Sequence, residues 1–353
     1  MVLYLDNAGA AVPTKELIYE CNNVLVDNTF GNPHSDPKTH VIIEKTRKNV
    51  LNFIGLNEEE YTLLFTSGAT EAIKFIGYNF NVKKFSYTRC NHNSITGLRN
   101  LFNNKVNVLD DEFNIINSWG EEGKEGINLI AYPLESNFSG KLFPLEKVNE
   151  LQNENTFVLL DCAKYITCRK LDLEIAKPDF IPISFYKIFG MPTGLGCLCI
   201  NKRALPFIKK DYYGGGTYSI IDPLQKDVFV PREFPQNSED GTCNYQGIIS
   251  LNISLELNND YYTKNKAVEI TKYAFKELKK LKHYNNTPLL QIYGVDDINN
   301  HGSIIAFNLI DQNGEYIGFK DVEKLCEQKG IKIRSGCFCN PGECQFYLNL
   351  TSE

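Results

Sequence analysis

Seven short runs constrain the fold of this chain more than any other feature: Tyr61–Thr66, Phe85–Thr88, Val106–Leu109, Ile127–Tyr132, Phe157–Asp161, Phe180–Ser184 and Gly196–Ile200. Each is apolar on both faces, and several alternate with stretches of helical periodicity. A strand that buries both faces belongs in a sheet covered on each side. The helical crossovers that cover such a sheet make it mostly parallel. Helical spacing runs from about Ser35 to Leu56, with Val41, Ile42, Val50, Leu51 and Ile54 among charged residues, and a second helical pattern opens at Glu71. After about Gly247 the texture changes. A Lys- and Glu-rich helical region spans roughly Tyr261 to Leu281, followed by a strand at Ser303–Leu309, a helix at Phe319–Gly330 and a strand at Ile331–Arg334. The expected architecture is α/β: a large domain built on a mostly parallel sheet, with a smaller α+β domain beside it.

Charge and composition narrow the partners. The 353 residues carry 43 acidic and 37 basic side chains, a formal net charge of −6. That balance argues against nucleic acid, whose phosphates require clustered Lys and Arg. A hydrophobic fraction of 42% excludes wholesale disorder, and no apolar run approaches the ~18 residues of a membrane span. The first nine residues, MVLYLDNAG, hold an acid and no basic residue. They do not resemble a secretory or transit signal, so a cytoplasmic location is expected. Eleven cysteines in a reducing compartment read as buried thiols, metal ligands or nucleophiles rather than a disulfide framework.

Four segments carry the chemistry. Ser184-Phe185-Tyr186-Lys187-Ile188-Phe189-Gly190 places a lysine among apolar and aromatic neighbours. It is either a surface loop lysine or a desolvated amine. Desolvation lowers an amine's pKa and makes it a nucleophile toward carbonyls. Asp161 closes an apolar strand, where an acid needs a cation. It serves as a cap, a structural ion pair, or the partner of a protonated pyridine nitrogen, which keeps a pyridoxal ring electron-withdrawing. Thr66-Ser67-Gly68-Ala69-Thr70-Glu71 lies between strand and helix, where free N–H groups suit a phosphate. Arg334-Ser335-Gly336-Cys337-Phe338-Cys339-Asn340-Pro341-Gly342-Glu343-Cys344 holds three cysteines without a second cluster or a nearby His. A closed zinc site is therefore not expected, and no metal is assigned. An exposed thiol near Arg334 is favoured as thiolate, and the arginine's fork also suits a substrate carboxylate.

Further blocks stand in order with these: Tyr4-Leu5-Asp6-Asn7-Ala8-Gly9-Ala10, Gly31-Asn32-Pro33-His34-Ser35, Asn91-His92-Asn93-Ser94, Ser136-Asn137-Phe138-Ser139-Gly140, Gly214-Gly215-Gly216-Thr217 and Glu239-Asp240-Gly241-Thr242. Over nearly the whole chain the series resembles the class V branch of the pyridoxal-phosphate enzymes, the cysteine desulfurases. Within that branch it is similar to the amino-terminal desulfurase part of the molybdenum cofactor sulfurases. The resemblance implies the type I fold of pyridoxal-phosphate-dependent transferases, with a seven-stranded sheet. Residues 12–250 would form the large cofactor-binding domain. Residues 1–11 and 251–353 would form the small domain that carries the cysteine loop.

The resemblance also implies roles. Lys187 would hold pyridoxal 5'-phosphate, Asp161 would lie under its ring nitrogen, and His92 would stack on the ring and relay protons. Asn137 would contact the phenolic oxygen. Ala69, Thr70 and Ser184 would bind the phosphate, with Tyr186 where other desulfurases place a histidine. Thr242 would reach the phosphate of a neighbouring subunit in a homodimer. Arg334, with Asn32, would hold the substrate, and Cys339 would take up sulfur from L-cysteine as a persulfide, giving L-alanine. Plainer roles stand beside these: His92 as a helix cap, Asn137 as a turn residue, the glycines 214–216 as a tight turn, and Cys337 and Cys344 as structural thiols or sulfur relays. The implied function is sulfuration of the molybdenum cofactor. Its alternatives are another acceptor, such as an iron–sulfur scaffold or a tRNA enzyme, and an inactive scaffold. Two departures stand out: Asn7 where the family has His, and Lys164 where bacterial desulfurases often carry Gln. The chain stops at Glu353, soon after Cys344. A small domain shortened at its carboxyl end, with an unpaired edge and no molybdenum-cofactor-binding domain after it, is therefore expected.

Overall fold

The computed structural model describes residues 2–102, 105–121 and 126–351. Its centre is an eight-stranded sheet: β1 (Tyr61–Thr66), β2 (Val82–Thr88), β3 (Lys105–Leu109), β4 (Ile115–Trp119), β5 (Ile127–Pro133), β6 (Thr156–Asp161), β7 (Phe180–Ser184) and β8 (Gly196–Asn201). The spatial order is β1-β8-β7-β6-β5-β2-β3-β4. Strand β8 is antiparallel to both β1 and β7, β4 is antiparallel to β3, and the other neighbouring pairs are parallel. The seven apolar runs supply seven of these strands. The eighth, β4, extends the sheet beyond the seven expected. All five of its residues are exposed, so it lacks the burial pattern that betrays a strand.

Both faces of the sheet are dry, which explains the unbroken apolar runs. Leu63, Leu160, Ile183 and Cys197 face one core, packed with residues of the helices Lys15–Asp27, Pro37–Ile54 and Tyr245–Leu257. Leu64, Phe85, Leu129 and Leu198 face the other, which includes Ile73 and Ile76 of the helix Ala69–Asn79. Burying one such side chain stabilises the fold by roughly 1.5–3 kcal/mol. Asp36 caps the second helix, accepting from Lys38 N–H at 3.1 Å, and it also accepts from Gly31 N–H at 2.8 Å. Pro37 then suits the first turn, and Gly55, with φ of 93°, ends the helix. Within that helix, buried Arg47 forks onto Glu239 at 2.7 and 2.6 Å. Glu239 also accepts from Phe65 N–H at 2.8 Å, so one ion pair ties helix, β1 and the 239–242 segment together.

The region after Leu257 differs in detail from its expected form. The helical stretch from Tyr261 breaks into Tyr261–Lys264 and Ala267–Leu278. Asn265 causes the break, because its side chain accepts from Ala267 N–H at 2.9 Å and starts a new helix. Leu290–Tyr293 pairs antiparallel with Ala306–Leu309. Ile331–Lys332 pairs in parallel with Leu3–Tyr4, which brings the amino-terminal segment to the cysteine loop. Among the described residues no helix is long and apolar enough to cross a membrane.

Candidate active site

Parallel strands deliver their carboxyl ends to one edge of the sheet, and that edge is where open α/β sheets bind ligands. Here β5, β6 and β7 end at Pro133, Asp161 and Ser184. Beyond them lies a cavity of about 80 Å³ lined by Ala69, Thr70, His92, Asn137, Asp161, Ser184, Tyr186 and Lys187, with Glu135 and Lys164 beside them. Eight of the twelve residues singled out in the sequence therefore share one cavity.

Lys187 sits on the short helix Tyr186–Phe189 just after β7. Among the described residues its amine has neither a hydrogen bond nor an ion pair. Burial lowers its pKa; Asp161 opposes that shift, and Lys164 and Arg334 add to it. A lowered pKa leaves more of the amine in its nucleophilic neutral form. Asp161 accepts from Ala163 N–H at 3.0 Å through Oδ1. Oδ2 has no partner among the described residues.

His92 caps a helix, as its plainer reading expects, and it also lines the cavity. Its Nδ1 accepts from Ser94 N–H at 3.1 Å, which assigns the ring hydrogen to Nε2. Burial lowers the pKa of the ring, against Asp161 and with Lys187. At the other end, the Ser184 hydroxyl accepts from Ala69 N–H at 2.9 Å, and the Thr70 and Ser94 hydroxyls meet at 2.8 Å. The N–H groups of Thr70 and Glu71, in the first turn of an eleven-residue helix, find no partner among the described residues. They form a ready seat for an anion. Gly196 permits this packing, since a Cβ there would lie 2.3 Å from the Ile183 carbonyl and 2.5 Å from Gly68 Cα.

Cys339 does not line the cavity. It is exposed on a loop bonded to residues of the cavity's wall. Its carbonyl accepts from Asn93 N–H at 2.7 Å, and Asn137 Nδ2 donates to the Phe338 carbonyl at 2.6 Å. The Asn137 amide, expected to face a ring oxygen, thus also holds the cysteine loop. Cys337 and Cys344, expected as structural thiols or sulfur relays, are instead joined in a disulfide; the other nine cysteines are free. Folding of the loop sets their Cα atoms 5.3 Å apart, within bridging distance.

Arg334 is likewise outside the cavity lining, and it is paired. Its Nε and Nη2 donate to Asp6 Oδ2 at 3.1 and 2.8 Å, and its Nη1 has no partner among the described residues. Gly9 lies against it: a Cβ there would be 1.9 Å from Nη2. The remaining two residues are not drawn in. Asn32 is an exposed turn residue whose side chain accepts from His34 N–H at 2.9 Å. Thr242 is exposed beside Gly241, whose N–H donates to the Gly215 carbonyl at 2.7 Å.

Sequence reasoning missed Asp6, although it lies in a block already noted, and Glu135. The latter is fully buried, 3.3 Å from Lys164 Nζ. Its sequence signal was an acid two residues past a buried strand, a weaker form of the one that marked Asp161, which closes its strand.

The chain matches the model of the family described as aminotransferase class-V over residues 3–350. It is 33% identical to the molybdenum cofactor sulfurase of Homo sapiens, an alignment covering 99% of this chain and 44% of that protein. It is 34% identical to the protein of that name in Bombyx mori, covering 99% and 48%. The chain thus spans about half the length of the curated relatives it matches. A solved cysteine desulfurase from Thermococcus onnurineus NA1 superposes with a TM-score of 0.79 at 21% identity, covering 99% of this chain and 88% of that one. This likeness shows the fold, which is that of the cysteine desulfurases. The family match over almost every residue shows that the chain belongs to the class V aminotransferases.

Proposed function

We propose that this chain is a pyridoxal-phosphate-dependent cysteine desulfurase that takes sulfur from L-cysteine onto Cys339, releases L-alanine, and supplies the sulfur to the molybdenum cofactor. One observation carries the reading: the amine of half-buried Lys187 and an oxygen of Asp161, neither hydrogen-bonded among the described residues, share one cavity, and the Cys339 loop is bonded to its wall.

The residues present fit the cofactor. The seat made by Ala69, Thr70, Glu71 and Ser184 suits its phosphate, the Asp161 oxygen suits a protonated ring nitrogen, and Lys187 suits its aldehyde. When bound, pyridoxal phosphate acidifies the Cα–H of an attached amino acid. Lys187 is then the group that takes up that proton, since burial lowers the pKa of its amine and favours the neutral form. His92 presents Nε2–H from a fixed ring. The unpaired Nη1 edge of Arg334 receives the substrate carboxylate. Cys339 Sγ, as thiolate, attacks the substrate sulfur; the Cβ–S bond breaks, its electron pair stays with the carbon, which takes up a proton and leaves as L-alanine, and a persulfide remains on the chain.

The wider readings follow the same line. Residues 12–250 are assigned to a cofactor-binding domain, and residues 1–11 with 251–353 to a small domain. The pairing of Leu3–Tyr4 with Ile331–Lys332 supports this division. A homodimer is proposed in which the exposed Thr242 segment meets a neighbouring site, in the cytoplasm. The test is alanine release from L-cysteine with added pyridoxal phosphate and a reductant. Activity that is lost in both Lys187→Ala and Cys339→Ser, with cofactor absorbance retained only in the second, supports the reading. Alanine released at the normal rate by Cys339→Ser would sink it.

A further inference from the structure

Glu343 is a buried acid that no cation meets among the described residues. It lies in the helix Pro341–Leu348, four residues after Cys339, and is 1% exposed. Its Oε1 accepts from the Ser139 hydroxyl at 2.7 Å, and its Oε2 accepts from Asn340 Nδ2 at 3.0 Å and from the Ser136 hydroxyl. These hydroxyls can do little but donate. Ser136 Oγ already accepts from the N–H groups of Phe138 and Ser139, both at 3.1 Å, and Ser139 Oγ accepts from Lys141 N–H at 3.3 Å. Three donors therefore converge on one carboxylate, and that arrangement suits the ionised form.

The same turn carries Asn137, which binds the Phe338 carbonyl through Nδ2 and accepts from Asn340 Nδ2 at 3.2 Å through Oδ1. Asn340 is itself fully buried and reaches the Cys90 carbonyl at 2.8 Å. An unbroken set of bonds thus runs from Glu343 through the turn to the residue before Cys339. The loop requires such support, because Phe338 and Cys339 both hold left-handed backbones, with φ of 53° and 58°. Successive non-glycine residues keep that conformation only where their surroundings impose it. The ionisable groups facing Glu343 are Asp111, Cys90 and Tyr347. The nearby cations Arg89 and Lys141 are engaged with Asp111 at 3.3 and 2.9 Å. Burial pushes the Glu343 carboxyl up to about 7, against the bonds from Ser136 and Ser139. A neutral side chain of the same shape would avoid that cost.

We propose that Glu343 is a positioning residue for sulfur transfer: its carboxylate clamps the Ser136–Ser139 turn to the cysteine loop and so fixes where Cys339 stands at the cavity. The inference rests on Cys339 being the sulfur acceptor.

The experiment uses the full chain loaded with pyridoxal phosphate. Two steps are followed separately: the change in cofactor absorbance on adding L-alanine, which needs no cysteine loop, and persulfide formation on Cys339 in a single turnover with L-cysteine. Glu343→Gln is expected to leave the absorbance change intact and to slow persulfide formation by about tenfold or more, the factor expected for a lost hydrogen bond to a charged group. Ser136→Ala, which keeps the carboxylate and removes one donor, is expected to slow the same step by a smaller factor. It carries the test if Glu343→Gln does not fold. Persulfide formation at the unaltered rate in either variant overturns the proposal, as does equal slowing of both steps, which would mark a purely structural carboxylate. A parent chain that responds to L-alanine yet forms no persulfide on Cys339 overturns the reading of Cys339 itself, and this inference with it.

Discussion

Burying the Glu343 carboxylate should make the fold less stable as pH rises, and the size of the effect follows from its surroundings. The carboxyl titrates at about 7 in the folded chain against an ordinary value of 4.5. Between those values the folded chain binds more protons than the unfolded one, so stability falls as pH increases through that window. Below 4.5 both states are protonated and the penalty is absent. At pH 8 it amounts to about 3 kcal/mol, and at pH 5 to less than about 1 kcal/mol. Glu343→Gln removes this titration. It also alters a hydrogen bond, but by the same amount at both pH values. The informative quantity is therefore the change in the variant-minus-parent stability between pH 5 and pH 8. Urea unfolding at the two pH values should show that difference moving by about 2 to 3 kcal/mol in favour of the variant. A pH-independent difference would refute the reasoning, because the carboxylate would then be solvated or already neutral.

Three further outcomes are expected. Asp6→Asn should loosen Arg334 and raise the KM for L-cysteine by about tenfold with little change in kcat, the value of one charge-assisted bond; an unchanged KM would separate Asp6 from substrate binding. Glu239→Gln removes the closer of the two carboxylates that meet the buried Arg47 guanidinium, leaving Glu44 at 3.2 Å, and should cost about 3 kcal/mol in chemical unfolding; a loss below about 1 kcal/mol would show the pair to be solvated. Ile248→Ala, at a fully buried position of the helix Tyr245–Leu257, should lower stability by about 2–5 kcal/mol with cofactor absorbance retained.

The parts of the molecule that the sequence disclosed are those written locally. Seven strands are apolar on both faces because both faces are covered, and Asp161 and Lys187 were recognisable because each stands at or just past the end of such a strand, whereas Ser184 was marked only by the family resemblance. Parallel strands bring those ends together, so locating them one by one also located the cavity. What stayed hidden depends on residues that meet only after folding. Strand β4 is polar enough and exposed enough to pass for a loop. Glu343 meets Ser136 across 207 positions, and Arg334 meets Asp6 across 328. No periodicity encodes either pair. The Cys337–Cys344 bridge is short in sequence, but its formation depends on the loop geometry that Asn137 and Asn340 impose.

The two-residue pairing of Leu3–Tyr4 with Ile331–Lys332 acts as a ruler. Tyr4 stands opposite Lys332 in parallel register. Asp6 is two positions past the first and Arg334 two past the second, so equal steps from a common mark bring them level. Substitution is therefore not the only way to unmake this end of the site. Inserting or deleting one residue between Tyr4 and Asp6, or between Lys332 and Arg334, leaves both side chains chemically intact and sends them to opposite sides. Such a change alters spacing alone, so a lineage could lose the Asp6–Arg334 pair, and with it the substrate hold proposed for Arg334, while retaining every residue that makes it.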